Sequence, residues 1–499
     1  MLKKIFLKLL GVTKDNSLLF FAAFFIVSLI NINYYILRSI RNTLAVSLSS
    51  VGAELIPAIQ FWALLPLTVL LIYGLSVFMR KHRPSSIFMF TTGAFSLFFL
   101  LFSLFVFPNR GVLESFSFPL LAKAIPSLGH LLNNWTASLY YVAAELWKVA
   151  VLSVLFFGFL NQRISLKMAK GLYSPILLGG SLGGLVAGPV TIFCSGLGKK
   201  LTGPLALSSW QISFIFMSTI LALVGGMIIL IFSWLKKRLN EQNAEGNASE
   251  SPDKPLPIAL MESLKTILRS RYLFSLCMMV VFDYVAYYLY EIFFLDILKK
   301  IYTDPNSYCA FNGRLTFWSS LLTTFSALFI APVMLKKCKW RVPALITPLV
   351  VMVFSFGFFG CTIFHDSAFI MAVASFAGTS SMGLAVIIGS CLFCMARAAK
   401  STVFDASKEL AFIPLPRELQ SKGKLIVDGL ASRTGCALAA AVNQVLFATF
   451  STIEAGMPAA AILSFGAVSI WIRGVLHVGR VVDKASNEAI NQVPLSEVA

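Results

Sequence analysis

Arg38 and Arg41 stand three residues apart near the end of an apolar stretch, NINYYILRSIRNTLAV at 31–46, so a helix places both guanidinium groups on one face. The planar guanidinium fork matches the oxygens of phosphate, and two forks on one face suit a phosphorylated anion. Other charges recur in apolar surroundings: Glu145 and Lys148 in one run, Asp283, Glu291 and Asp296 in another, Arg397 and Lys400 closing a third. Ionisable groups are costly in hydrocarbon, and such positions mark a wet cavity, a proton relay or a partner charge. Asp283 and Glu291 lie two turns apart on one face and are the candidates for carrying protons. Tyr284, Tyr287, Tyr288 and Tyr290 around them offer rings and hydroxyls for a base and sugar.

Each group also has a plainer reading. Glu145 and Lys148, at i and i+3, can neutralise one another on a single helix face. Arg38 can snorkel to the nearer interface. The tyrosines can form an interfacial aromatic belt. The run Gly179-Gly180-Ser181-Leu182-Gly183-Gly184 looks like a phosphate loop but lacks the Lys-Ser/Thr that would follow, so close helix packing is its expected role. Cys391 and Cys394 form a CxxC inside an apolar run, where neither metal nor redox chemistry is expected. The four His are scattered, and no Ser/His/Asp set or metal spacing stands out, so no catalytic or metal residues and no cofactor are expected.

The elements that position these charges are membrane helices. The chain is 58% apolar and 13% charged, with mean hydropathy +0.82. Its apolar runs are about 20 residues long, enough to cross roughly 30 Å of hydrocarbon. Twelve spans are predicted, at 18–42, 57–79, 86–107, 134–158, 172–194, 210–235, 272–296, 314–334, 342–364, 376–396, 429–450 and 456–476. With both termini and the even-to-odd loops on one side, that side holds 30 Lys and Arg and the other only six. The termini are therefore expected in the cytoplasm. The same rule accounts for the net charge of +19 without nucleic acid. The N-terminus shows neither a cleavable signal nor a long Ser/Arg-rich transit peptide, which points to a bacterial inner membrane, with a plastid inner envelope as the alternative.

The polar linker at 236–262, rich in Glu, Asn, Ser and Pro, divides the spans six and six. The expected layout is a six-helix half at 1–235, a cytoplasmic linker, a second half at 263–476 and a tail at 477–499. This all-α 6+6 plan is that of the major facilitator architecture, in which each half is two three-helix repeats and substrate sits at the midplane. The buried charges fall on spans 1, 4, 7 and 10, the first helices of those repeats, while Arg314 and Arg433 are expected at the entrances to spans 8 and 11. The implied function is an alternating-access carrier, monomeric in its bilayer, for a nucleotide or another phosphorylated small anion. A proton-coupled symporter and a flippase for another phosphorylated anion are the alternatives. A membrane enzyme would need a nucleophile or acid–base set at one interface, and none is present.

Several stretches resemble the ATP/ADP translocase family of bacterial and plastid nucleotide transporters. YYILRSIRNTL (34–44) is similar to its first-helix motif, AELWKVAVLSVLFFGFLNQ (144–162) to its ELWG...LSLLFW.FANQ helix, YLYEIFF (288–294) to its LVEVTWK segment, and SYCAFNG (307–313) to its Y..FMG. The fullest match is KSTVFDASKELAFIPLPRELQSKGKLIVDGLASRTG at 400–435. The resemblance implies a nucleotide carrier, with Arg41 in place of a Lys, and with Glu145, Glu291 and either Lys400 or Lys408 as its charged residues. It departs from the pattern where Lys-Asp is Arg41-Asn42 and where Gly is Lys148, which makes the cavity more positive. Exchange of ATP for ADP and proton symport through Asp283 or Glu291 both remain open on these residues.

Overall fold

The computed structural model describes residues 17–115, 123–161, 166–201, 207–245, 270–413, 415, 419, 423–450 and 452–491. The 236–262 linker beyond 245, the prolines Pro414 and Pro416 and the N-terminal lysines lie outside the described residues. Without water, backbone groups of an apolar run find partners only within a helix, and the described residues are helices joined by turns. Among them, eleven helices are long and apolar enough to cross a membrane. These are α1 (Ser17–Ser47), α2 (Gly52–Met79), α3 (Pro84–Val106), α4 (Trp135–Leu160), α5 (Ile176–Leu201), α6 (Ser209–Leu239), α7 (Arg271–Ile301), α8 (Pro305–Lys337), α9 (Arg341–Ile363), α10 (Ser381–Ala411) and α12 (Ile453–Lys484). The predicted eleventh span is helix α11 (Ser432–Thr449), entered through Leu425–Ala431. Its Ser432, Arg433, Thr434, Asn443 and Gln444 dilute the apolar run, so it does not count among the eleven.

Two of the boundaries that differ from expectation bear on the charges named above. Helix α8 starts at Pro305 rather than 314, so Arg314 lies well inside the helix and is exposed there. Asp304 caps that start: its carboxylate accepts from the Ser307 amide at 3.0 Å and the Ser307 hydroxyl at 2.9 Å, with Pro305 in the first helical position. Helix α10 continues past 396 to Ala411, so Lys400 and Lys408 are inside it rather than at its end or in a loop.

Lys199 of α5 reaches the capping Asp304 at 2.8 Å. Partial burial alone would raise the Asp304 carboxyl, but the hydrogen bonds from Lys199 and Ser307 outweigh it and hold the group below its ordinary 3.8. A depressed carboxylate adds stability that is present above its unfolded value and is lost as pH falls through the folded one. The melting-temperature gap between wild type and Asp304→Asn should therefore be constant near neutral pH and close below about pH 4.

The chain divides into two compact units, one of Met1–Lys254 with Tyr302–Leu321, the other of Pro255–Ile301 with Leu322–Ala499. In the first unit α1 packs against α4, α5 and α6, and α3 packs on α6. In the second α7 packs against α10, α11 and α12, and α9 packs on α12. The same neighbours recur six helices later, as an internal repeat requires.

Close approach of α5 depends on its glycines. A Cβ on Gly183 would stand 2.6 Å from the Ser28 carbonyl oxygen of α1, and one on Gly188 would stand 2.7 Å from the Gly313 carbonyl oxygen of α8. The 179–184 run is thus a helix-packing surface. Gly183→Val should force α1 and α5 apart at a cost of ~1–3 kcal/mol or more, read as a lower melting temperature in detergent with substrate absent.

Candidate functional site

In the first unit, Arg41 of α1 is only 5% exposed. Its guanidinium forms an ion pair with Glu145 of α4 and lies 4.5 Å from the centre of the Tyr141 ring. Tyr141 and Glu145 are one turn apart, so α4 offers a ring face and a carboxylate to the same cation. Arg41 Nε is buried and has no hydrogen-bond partner among the described residues. Lys148 places its ammonium 4.5 Å over the Tyr34 ring of α1. Glu145 therefore does not pair with Lys148 along its own helix, because Arg41 on α1 takes its carboxylate. Arg38 is half-buried and, with Lys148, lies within electrostatic reach of Tyr34 and Tyr35; Tyr35 is hydrogen-bonded to Ser320. Around Tyr34 the unit thus collects three cations, Arg38, Arg41 and Lys148.

In the second unit, Asp283 of α7 is 3% exposed and forms an ion pair with Lys400 of α10. The Lys400 ammonium also lies 4.0 Å over the Tyr284 ring. Tyr284 stacks on Tyr288 at 6.2 Å, and Tyr288 is hydrogen-bonded to Cys436 of α11. Glu291, Lys400 and Arg433 all lie within electrostatic reach of Cys436. Arg433 and Cys436 thus join the cluster. Both lie on α11, where the sequence reading places Arg433 only at the entrance of the predicted span and assigns Cys436 no role.

The remaining candidates are peripheral to these pairs. Lys408, two turns beyond Lys400, interacts with it and lies 3.7 Å from Asp405. Tyr287 packs its ring against Phe393 of α10 at 6.5 Å, and Tyr290 donates its hydroxyl to the Gly389 carbonyl, fixing α7 on α10. Asp296 belongs to a different network: Lys300 bridges it at 3.1 Å to Glu454 of α12 at 2.6 Å. Among the described residues no His/Cys/Asp/Glu group could hold a metal ion.

The cations also coincide with irregular helix. Helix α1 widens into π-helical turns over Thr43–Ser47, just past Arg41; α4 does so over Lys148–Phe156 and α10 over Lys400–Phe404. Similar turns in α2, α3 and α8 carry no charge. Such wide turns are rare and recur at functional positions.

Membrane helices in two like-patterned units, with opposite charges paired inside them and rings capping the cations, define a multi-pass membrane transporter. A mutant form of the nucleoside transporter NupG superposes with TM-score 0.56 at 11% identity, over 91% of this chain and 98% of that structure. The inward-open xylose transporter XylE from E. coli gives 0.51 at 13% identity, over 91% and 95%. At such identity the likeness shows the fold alone, which is major facilitator-like.

Residues 2–481 match the TLC ATP/ADP transporter family, and the chain belongs to that family. It is 31% identical over 489 residues to ADP,ATP carrier protein 1 of Chlamydia trachomatis serovar D, spanning 96% of this chain and 90% of the relative. Against ADP,ATP carrier protein 3 of Rickettsia prowazekii the identity is 26%, over 90% and 91%. Against the chloroplastic ADP,ATP carrier protein 2 of Arabidopsis thaliana it is 29%, over 88% and 70%. The family is one of carriers rather than catalysts, and a multi-pass transporter with relatives in Chlamydia and Rickettsia is consistent with a bacterial inner membrane.

Proposed function

We propose that the protein exchanges adenine nucleotides, ATP against ADP, by alternating access, with both termini on the cytoplasmic side. The observation that carries this reading is the buried Arg41–Glu145 pair with its ring-capped neighbour Lys148. A nucleotide polyphosphate presents several anionic oxygens, and Arg38, Arg41 and Lys148 are the groups that accept them in the first unit. Each charge-assisted contact contributes about 1.5–3 kcal/mol. Glu145 holds the Arg41 fork and is the carboxylate that phosphate oxygens displace or share. In the second unit Lys400, aided by Lys408, takes the corresponding role, with Asp283 as its counter-ion. Tyr34 and Tyr141 in the first unit, and Tyr284 and Tyr287 in the second, are ring faces on which a base or ribose can stack. Buried cations held by carboxylates and rings resist conformational change until a polyanion takes over their pairing, which favours obligatory exchange over one-way flux.

The relatives named ADP,ATP carriers support the choice of substrate. The test is uptake of labelled nucleotides into liposomes holding the purified protein, with and without internal nucleotide and with and without a pH gradient. Uptake that requires internal ADP or ATP and ignores the gradient supports exchange. Uptake into empty liposomes that follows the gradient assigns symport through Asp283 or Glu291. Absence of uptake for every nucleotide rejects the reading.

A further inference from the structure

Apart from the charge clusters, the second unit carries a groove of about 440 Å³ where the first turns of α7 meet the last turns of α12. Its basic wall is Arg473, His477 and Arg480, spaced four and three residues apart and so on one face of α12. All three are exposed. The facing wall is mainly apolar: Phe274 and Met278 of α7, with Ile470 of α12, beside Ser275, whose hydroxyl donates to the Arg271 carbonyl at 2.8 Å. Phe274 is 43% exposed and Ile470 39%. Gly474 lies between the walls, where an added Cβ would stand 2.9 Å from Met279 Cγ, so the bare glycine lets the two helices meet beneath the groove. Among the described residues no acidic side chain lines it, and the neighbouring Asp483 is paired with Arg341 at 2.7 Å.

Basic residues at the ends of spans need no ligand, since they set topology. Here they do more, because three of them converge on one concavity whose other wall is mainly hydrocarbon. The groove also lies beside the start of the predicted span 272–296 and the end of the predicted span 456–476, where headgroups are expected. A ligand that satisfies both walls has an anionic head and an apolar tail. We propose that this groove binds an acidic phospholipid, its phosphate on Arg473 and Arg480 with His477 alongside, and an acyl chain along Phe274, Met278 and Ile470. Basic pockets between membrane helices are recurrent sites for such headgroups, and the arginine forks suit phosphate oxygens.

The test uses the full-length protein in nanodiscs and in detergent. Melting temperature and lipid adducts in native mass spectrometry are followed for phosphatidylglycerol, for phosphatidylcholine and for inorganic phosphate. Wild type should be stabilised by phosphatidylglycerol, retain it as an adduct, and gain little from the other two. Arg473→Gln/Arg480→Gln should bind phosphatidylglycerol on the order of 30-fold more weakly, about fivefold per arginine, while keeping its stabilisation by ATP. Arg473→Lys/Arg480→Lys, which preserves charge, should recover much of the loss and guards against a folding defect in the Gln variant. Lys336→Gln/Lys337→Gln, which removes the same charge at exposed positions of α8, should bind like wild type. Equal loss in that variant, or undiminished binding in Arg473→Gln/Arg480→Gln, overturns the proposal. Stabilisation by inorganic phosphate as strong as by the lipid, or a dimer that dissociates in Arg473→Gln/Arg480→Gln, would replace the lipid by a free anion or by a second copy of the chain.

Discussion

Arg41→Ala should abolish stabilisation by ATP and lower nucleotide uptake by about one to two orders of magnitude. One charge-assisted contact to phosphate is worth about 1.5–3 kcal/mol, or roughly 10- to 150-fold. The same substitution leaves the Glu145 carboxylate, whose side chain is 18% exposed, without its ion-pair partner. Breaking a buried pair from one side costs up to about 3–5 kcal/mol, so loss of transport alone would not distinguish binding from folding. Arg41→Ala/Glu145→Gln separates the two. It should regain most of the stability while uptake stays low. If uptake returned with stability, Arg41 would be a structural residue only. Arg41→Lys keeps the charge that the family resemblance places at this position and should retain measurable exchange, weakened by loss of the fork.

The second large effect is expected at Lys400. The Asp283 side chain is 4% exposed and that of Lys400 is 28% exposed, so removing each partner is not equivalent. Lys400→Ala strands a carboxylate that cannot reach water, and should destabilise the protein by about 3–5 kcal/mol. Asp283→Asn leaves an ammonium that still has a route to solvent and a Tyr284 face 4.0 Å away, and should cost distinctly less. Thermal unfolding of both variants and of the double variant checks this asymmetry. Equal small losses with no coupling would mean that the pair contributes nothing to stability. Uptake should fall in both single variants, and further in Lys400→Ala, because Lys400 is the cation assigned to the substrate.

What was legible beforehand follows from which constraints are local. Membrane helices declare themselves because hydrocarbon leaves an apolar backbone no other option, and α1 to α7 fall within a few residues of their predicted positions. The start of α8 and the ends of α10 and α12 do not. Asn306, Ser319 and Ser320 are polar yet buried in protein rather than placed in a loop, and the cap at Asp304-Pro305 was the cue that would have located the start. The charges themselves were found from sequence; their partners were not. Local spacing favours Glu145 with Lys148, three residues apart, whereas the pair that forms joins Arg41 and Glu145 across 104 positions. Arg433 and Cys436 entered the second cluster only once α11 was seen beside α7, since nothing in the chain's order brings them near Glu291.

The wide turns beside Arg41, Lys148 and Lys400 have a mechanical consequence. Each accommodates one residue more than an α-helical turn of the same rise would hold. That surplus can migrate along the helix by trading one hydrogen-bond register for the next, with no net bond lost. The stretch it passes then swivels by one residue's angle, about 100°, carrying the charged side chain at its edge to a new heading while the two ends of the helix stay anchored.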